Sequence, residues 1–199
     1  QYLEVKNKYK NHILFYRLGD FYEMFFDDAI IASRELELTL TGRDCGLEER
    51  APMCGVPHHA CDVYLKKLIE KGYNVAICEQ TMDPAMCKGI VPREVIRVVT
   101  PGTLIESSML DETSNNYICA FYMRAKESAL CLADISTGEV HLFEFEGKEM
   151  TSSAINELSR FSPAEILIND AFLSNKELSS FIREKLKTSV QLLEENDFS

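Results

Sequence analysis

The sequence predicts a mixed α/β protein of two domains, and three observations point to it. The chain has 199 residues, more than a usual domain of about 100–150. Short apolar runs typical of strands alternate with amphipathic runs typical of helices. A polar, turn-rich stretch at 105–116 interrupts this pattern, which then starts again. We therefore expect a small mixed-sheet domain at 1–106, a linker at 107–116, and a second α/β domain at 117–199, which is incomplete because the chain stops just after a strand.

The first half contains six segments of distinct pattern. Acids in the first turn favour a helix start at Asp27, because they complement the helix dipole. Gly72 suits the C-terminal cap of an amphipathic helix. In chain order we expect an extended segment at 11–25, a helix at 27–38, a short strand and then a long Gly- and Pro-containing loop at 39–57, a helix at 60–73 with Val63, Leu65, Leu68 and Ile69 on its apolar face, and strands at 74–80 and 92–102.

The second half predicts three consecutive strands followed by alternating helices and strands, which is an α/β order. Thr137-Gly138 suits the tight turn between the second and third strands. In chain order we expect strands at 117–123, 129–136 and 139–146, a helix around 152–159, a strand at 165–169, a helix at 175–187 and a strand at 189–193.

Composition and charge restrict the function. The net charge of −11 argues against a grip on nucleic acid by the whole surface, and neither half is basic, so any nucleic-acid role depends on local contacts. No apolar run is long enough to span a bilayer, and the start has no signal core, so we expect a cytoplasmic protein with no membrane partner. The seven cysteines form no Cys-x-x-Cys pair and predict free thiols.

Motifs for catalysis and metal binding are missing. The sequence has no phosphate-binding loop and no recognisable catalytic triad, so we assign no catalytic residue. The cluster of Cys54, His58, His59 and Cys61 matches no zinc spacing, and we assign no metal ligand.

One enzymatic alternative is a metal-dependent nuclease using Asp134, which lies just before a predicted hairpin, with Glu144 and Asp170 as candidate partners by position.

The stretch RLGDFYEMFFDD carries an unusual mixture of aromatic and acidic residues. On one continuous extended backbone, alternate residues share a face. This alternation places Phe15, Arg17, Gly19, Phe21 and Glu23 on one face and the intervening apolar residues on a core face. From the pattern alone, Phe21 is interpreted as half-buried packing.

Four blocks of sequence change that interpretation, namely RLGDFYEMFFDDA, APMCGVPHHA, GYNVAICEQTMDPA and VIRVVTPGT. In order and spacing they are similar to the amino-terminal part of the MutS family of bacterial DNA mismatch repair proteins, and the match covers essentially all of 1–104. The region ALCLADISTGEV resembles the start of that family's connector domain, which has an RNase H-like fold without nuclease activity.

The resemblance implies that Phe21-Tyr22-Glu23 is the family's Phe-x-Glu mismatch reader. Phe21 would enter the minor groove as a wedge, stack on a base and kink the duplex. Glu23 would accept a hydrogen bond from an unpaired base, or donate one if protonated. Tyr22 is expected to face the interior.

Further DNA contacts are open alternatives at five positions. Arg17 contacts the DNA backbone or is a solvated strand residue. Lys6, Lys8 and Lys10 form a solvated helix face or contact the backbone. His59 matches the family pattern, and with His58 we expect it to shape the loop and cap the following helix rather than to contact DNA.

The resemblance also implies partners and cofactors outside this chain. ATP and Mg²⁺ would bind a downstream domain, while this chain would hold no cofactor. The partners implied are mismatched double-stranded DNA, MutL through the connector region, and a second copy of the full-length protein in a homodimer. Two other functions compete with mismatch binding, namely the metal-dependent nuclease and an acidic adaptor that binds only protein.

Overall fold

The computed structural model describes residues 1–46, 48–111, 113–186 and 188–198. The chain forms two compact units, Gln1–Thr100 and Pro101–Ser199. The predicted domain limits at 106 and 117 stay predictions, because compactness alone does not define a domain boundary. Parts of the predicted loop at Leu47, of the linker at Glu112 and of the helix end at Lys187 lie outside the described residues. No helix among the described residues is long and apolar enough to cross a membrane.

The described residues of the first unit form a six-stranded mixed sheet with three α-helices. Its strand order is β3-β4-β2-β1-β5-β6, in which β1 and β5 are parallel and the other neighbours are antiparallel. The elements are α1 (Tyr2–Lys8), β1 (Ile13–Leu18), β2 (Phe21–Phe25), α2 (Phe26–Leu36), β3 (Thr41–Arg43), β4 (Ala51–Pro57), α3 (Cys61–Glu70), β5 (Val75–Gln80) and β6 (Arg93–Val99).

Helices cover the two faces of this sheet unequally. On one face, α1 packs over apolar side chains of the two parallel strands, β1 and β5, where Leu14 and Cys78 are fully buried. The opposite face carries Phe15, Met24 and Cys54, and the Cys54 thiol lies 3.5 Å from the Ala29 carbonyl of α2. Both faces of the sheet therefore contribute to the core. The short helix α1 leaves part of the sheet face that it covers accessible.

The hairpin of β1 and β2 corrects the predicted extended segment. The chain turns at Gly19-Asp20, so that Leu18 pairs with Phe21 and Arg17 with Tyr22. Directly paired residues of antiparallel strands point to the same face. The predicted grouping of Phe15 and Arg17 with Phe21 is therefore wrong, and Phe15 is fully buried.

Strand β4 corrects a second prediction, because APMCGVP was assigned to a loop on account of its Gly and Pro. Proline is tolerated in a sheet where its missing N–H interrupts no ladder. At Pro52, β4 pairs with β3 alone, and at Pro57 it pairs with β2 alone. Each proline therefore lies where the strand has a single neighbour. In the helix at 60–73, the prediction for Val63 is wrong, since that side chain is exposed while Leu65, Leu68 and Ile69 are buried.

The second unit is a five-stranded sheet of order β11-β10-β7-β8-β9. Strands β7, β8 and β9 form an antiparallel meander, β10 lies parallel beside β7, and β11 lies parallel beside β10. The elements predicted for this half are confirmed, and the structure adds one helix, α5, that was not predicted. The elements are β7 (Tyr117–Met123), β8 (Glu127–Asp134), β9 (Glu139–Glu146), α4 (Met150–Phe161), β10 (Glu165–Ile168), α5 (Asp170–Ser174), α6 (Lys176–Lys185) and β11 (Ser189–Leu192).

One apolar core holds this second unit together. Side chains of α4, α5 and α6 pack against the central strands, where Phe121, Leu130 and Ile166 are fully buried. The rings of Phe121 and Phe172 meet edge to face, with centroids 5.0 Å apart. The sequence places these residues at alternate strand positions and at helical spacing, which is why the periodicity predicted this half well.

Candidate functional site

Phe21 is the first residue of β2 and lies directly after the tight turn of the hairpin. It stands between Leu18 on β1 and Pro57 on β4. Its side chain is 46% exposed, although its neighbours along β2, Tyr22 and Met24, are buried. We call the sheet side that carries Phe21, Glu23 and Phe25 the Phe21 face. A large ring left half-exposed at the tip of a tight hairpin is available for contact with another molecule.

The turn that presents Phe21 is fixed by three hydrogen bonds. Gly19 has a φ of 59°, a left-handed conformation that glycine adopts without strain. The Arg17 Nε–H donates to the Gly19 carbonyl at 2.5 Å. The His58 N–H donates to the Asp20 carbonyl at 2.9 Å, and the His58 Nδ1 lies 3.1 Å from the same oxygen. His58 therefore supports the turn between β1 and β2, which is not the loop that the sequence predicted it to shape. The predicted capping is wrong, because no side chain caps the start of α3.

Tyr22 and Arg17 lie on the sheet side opposite to the Phe21 face. The Tyr22 hydroxyl donates to Glu79, and the Arg17 Nη1 lies 3.3 Å from the same carboxylate oxygen. Burial, and then the bond to Glu79, raise the pKa of the Tyr22 hydroxyl. The expectation that Tyr22 faces the interior is confirmed. Glu79 thus holds one residue on each side of the turn, so the hairpin is braced from behind.

Glu23 lies next to Phe21 on the Phe21 face, paired across the strands with Tyr16 and Gly55. Arg43 of β3 reaches it, with Nη1 2.5 Å from the Glu23 Oε2. A Cβ at Gly55 would lie 3.5 Å from the Glu23 Cγ and 3.3 Å from the Tyr22 carbonyl oxygen. Glycine at this position therefore leaves the space beside the Glu23 side chain open.

Arg43 contacts the candidate site and was not predicted from the sequence. Its guanidinium carbon lies 5.9 Å from the centre of the Phe25 ring while Nη1 reaches Glu23. No motif in the sequence marks this arginine. Only the pairing of β3 with β4 brings it to the Phe21 face.

The basic residues predicted as backbone contacts differ in their surroundings. Lys6 is used inside the first unit, where its Nζ lies 2.8 Å from the buried carboxylate of Asp28 and 2.5 Å from the His12 carbonyl oxygen. Lys8, Lys10 and His59 are exposed. Contact of any of them with DNA stays a prediction.

Asp134 organises the turn after β8. Its Oδ1 accepts from the Ser136 hydroxyl at 2.6 Å and from the Ser136 and Thr137 amides at 2.9 and 3.3 Å. Its Oδ2 accepts from the Asn116 amide at 3.1 Å. The residue is 1% exposed. Both oxygens are therefore committed to hydrogen bonds within the second unit.

The candidate partners of Asp134 in a nuclease do not converge on it. Glu144 pairs with Ala129 and therefore points to the same sheet face as Ala129. Asp134 lies an odd number of residues after Ala129 along β8, so it points to the opposite face. Asp170 follows β10 beside the Met123 end of β7, whereas Asp134 pairs with Tyr117 at the other end. Six residues of strand separate those ends, about 20 Å. This arrangement does not favour a two-metal site. Among the described residues, no group of three or more His, Cys, Asp or Glu side chains could hold a metal ion.

Asp134→Asn is expected to destabilise the chain by about 1–3 kcal/mol at neutral pH, since an amide nitrogen cannot accept one of these bonds. Burial alone would raise the pKa of Asp134, but the hydrogen bonds from Ser136, Asn116 and Thr137 outweigh it and lower this pKa below 3.8. Their stabilisation is therefore complete above that pH and is lost as the pH falls through the lowered pKa. Urea unfolding of the wild-type and Asp134→Asn proteins from pH 7 to pH 2 should show the difference between their free energies of unfolding becoming smaller as the pH falls. A constant difference would contradict this role.

Comparison with known proteins agrees with the architecture of both units. The family model "MutS domain I" matches residues 1–108, and "MutS domain II" matches residues 116–199. Three relatives, each named DNA mismatch repair protein MutS, illustrate the similarity. They come from Ruminiclostridium cellulolyticum (52% identical over 198 residues, 100% of this chain and 23% of the relative), Acetivibrio thermocellus (50% over 198 residues, 100% and 23%) and Clostridium botulinum strain Hall (55% over 170 residues, 85% and 18%).

The chain spans about a quarter of the length of the first of these relatives. The two family models together cover nearly all of it, and they match the units in the order in which the chain forms them. The chain belongs to the MutS family of DNA mismatch repair proteins, of which it carries domains I and II.

Proposed function

We propose that the chain is the mismatch-reading part of a longer DNA mismatch repair protein, with Phe21 as the wedge. The observation that carries the proposal is the 46% exposure of this ring at the tip of a braced hairpin. An aromatic ring that enters the minor groove unstacks a base step and kinks the duplex, at a cost of a few kcal/mol. A rigid hairpin suits this role, because a mobile ring would lose entropy on insertion.

Discrimination arises because a mispaired or unpaired step opens more easily than a paired one. The wedge then reads how easily the duplex deforms rather than which bases are present. A difference of about 1–3 kcal/mol in opening corresponds to about 5- to 150-fold in affinity. Such a sensor accepts many mispairs and small insertion or deletion loops.

Glu23 adds a polar contact to the wedge. Its carboxylate accepts a hydrogen bond from a thymine or guanine imino group left free by mispairing. In a correct pair that group is occupied, so the carboxylate gains no partner.

The remaining contacts belong to other parts of the full-length protein. With a net charge of −11, this chain supplies little general attraction to phosphate, and we propose that downstream segments provide it. Domain II would contact MutL. The full-length protein would act as a homodimer and would hold ATP and Mg²⁺ downstream of this chain. A mispair has no two-fold symmetry, so one subunit would insert its Phe21.

The test of the proposal compares two duplexes that differ only in one G·T mispair. The protein is the full-length one, or the Ruminiclostridium cellulolyticum relative in which residues 1–199 of this chain replace the matching segment. In fluorescence anisotropy titrations we expect Kd to be lower for the mispaired duplex by about 5- to 150-fold. Equal Kd values would refute mismatch reading and would favour the adaptor function. Mn²⁺-dependent cleavage of labelled duplex that Asp134→Asn abolishes would favour the nuclease.

A further inference from the structure

Arg43 and Glu23 form an ion pair beside the proposed wedge. The Arg43 Nη1 lies 2.5 Å from the Glu23 Oε2, with the Arg43 side chain 47% exposed and that of Glu23 18% exposed. Within the described part of the chain, Arg43 provides the one hydrogen bond recorded at this carboxylate, and it engages only Oε2. Glu23 therefore keeps a second oxygen, Oε1, for another donor.

The position of the Arg43 side chain determines where the Glu23 carboxylate is held. Glu23 and Phe25 lie on the same sheet side, because alternate residues of β2 share a face. The Arg43 guanidinium lies near the Phe25 ring, 5.9 Å from its centre, on its way to Glu23. The ring and the carboxylate together orient the guanidinium, and the guanidinium in turn restricts the rotamers of Glu23.

Arg43 also changes the charge that the Phe21 face presents to DNA. A lone carboxylate beside a polyanion is repelled, whereas a paired carboxylate presents little net charge. The pairing thus allows Glu23 to approach a base edge while Oε1 can still accept from it.

We propose that Arg43 is a specificity-determining positioning residue, which holds Glu23 by Oε2 so that Oε1 accepts from the mispaired base. This inference rests on the proposed function. It makes the contribution of Glu23 to discrimination dependent on Arg43. A phosphate contact by Arg43 is the competing role, and it predicts a different outcome, because phosphate contacts act on paired and mispaired duplexes alike.

The experiment is a double-mutant cycle in the full-length protein or the relative described above. The proteins are wild type, Arg43→Gln, Glu23→Gln and the double variant. For each, Kd is measured for the paired and the G·T duplex at two salt concentrations. We call the ratio of the first Kd to the second the discrimination ratio. Arg43→Gln is expected to lower this ratio about fivefold, which corresponds to about 1 kcal/mol, because Glu23 keeps its carboxylate but loses its fixed orientation. In the Glu23→Gln background, the same substitution should leave the ratio unchanged.

Two controls limit the interpretation. Arg34→Gln removes an exposed arginine of α2 that pairs with Glu35, and it should not change the discrimination ratio. Arg43→Lys keeps the charge and should restore part of the ratio. Thermal unfolding of each variant checks that the fold is retained.

Two results would overturn the inference. The first is an unchanged ratio in Arg43→Gln, with both Kd values raised equally and a shallower salt dependence, which indicates a phosphate contact. The second is an equal fall of the ratio in both Glu23 backgrounds. Phe21→Ala in the same series separates this from failure of the proposed function, because a ratio that survives Phe21→Ala refutes the wedge itself.

Discussion

Phe21→Ala is expected to bring the discrimination ratio close to one while changing the affinity for paired duplex by less than about threefold. The ring is the part of the hairpin that would stack on a base, and alanine cannot compensate the cost of opening a step. Since the ring is 46% exposed, its removal leaves the core almost intact. The measurement is the pair of Kd values for the paired and the G·T duplex.

Ile30→Ala is the matched control for this substitution. Ile30 is also 46% exposed, but it lies on α2, which packs on the opposite side of the sheet. Its truncation removes a comparable exposed apolar side chain and should leave the discrimination ratio unchanged. If both variants lose discrimination equally, the effect is one of general stability, and Phe21 has no special role.

Gly102→Ala is expected to destabilise the second unit by about 2–4 kcal/mol, through overpacking at a site that cannot yield. A Cβ at Gly102 would lie 2.8 Å from the Ile118 Cβ and 2.9 Å from the Glu165 Cβ. Both neighbours belong to paired strands, β7 and β10. The Gly102 N–H also donates to the buried Glu165 Oε2 at 3.0 Å, so a displaced backbone would disturb this acceptor. Urea unfolding followed by circular dichroism measures the loss.

Gly138→Ala separates crowding from backbone strain. Gly138 has a φ of 76°, and nothing lies within 4 Å of its Cβ position. Alanine there is strained by about 1 kcal/mol but meets no neighbour. Gly102→Ala should therefore cost clearly more than Gly138→Ala. Equal losses would show that the close contacts around Gly102 relax without cost.

The sequence predicted the elements whose pattern is local. The meander of β7, β8 and β9 and the helix α2 follow from alternation, helical spacing and terminal acids, all visible within one segment. The turn at Gly19-Asp20 was missed because a continuous strand and a tight hairpin give the same apolar run. That single turn reverses the chain, and with it the predicted side of Arg17 relative to Phe21.

The candidate site was predicted only in part, because its contacts are distant along the chain. The pair Phe21 and Glu23 came from the resemblance to the MutS family. The ion pair of Arg43 with Glu23 depends on the register of β3, β4 and β2, which no local pattern encodes. The hydrogen bond behind the hairpin likewise joins Tyr22 to Glu79, which lies 57 positions further along the chain.

Photochemical cross-linking tests most directly whether Phe21 touches the mispaired base. 5-Iododeoxyuridine is placed in the mispair, the complex is irradiated, and the attached residue is identified by mass spectrometry. The account predicts attachment to Phe21, at a much lower yield when the same nucleotide is correctly paired. Attachment elsewhere, or equal yields from paired and mispaired duplexes, would contradict the wedge.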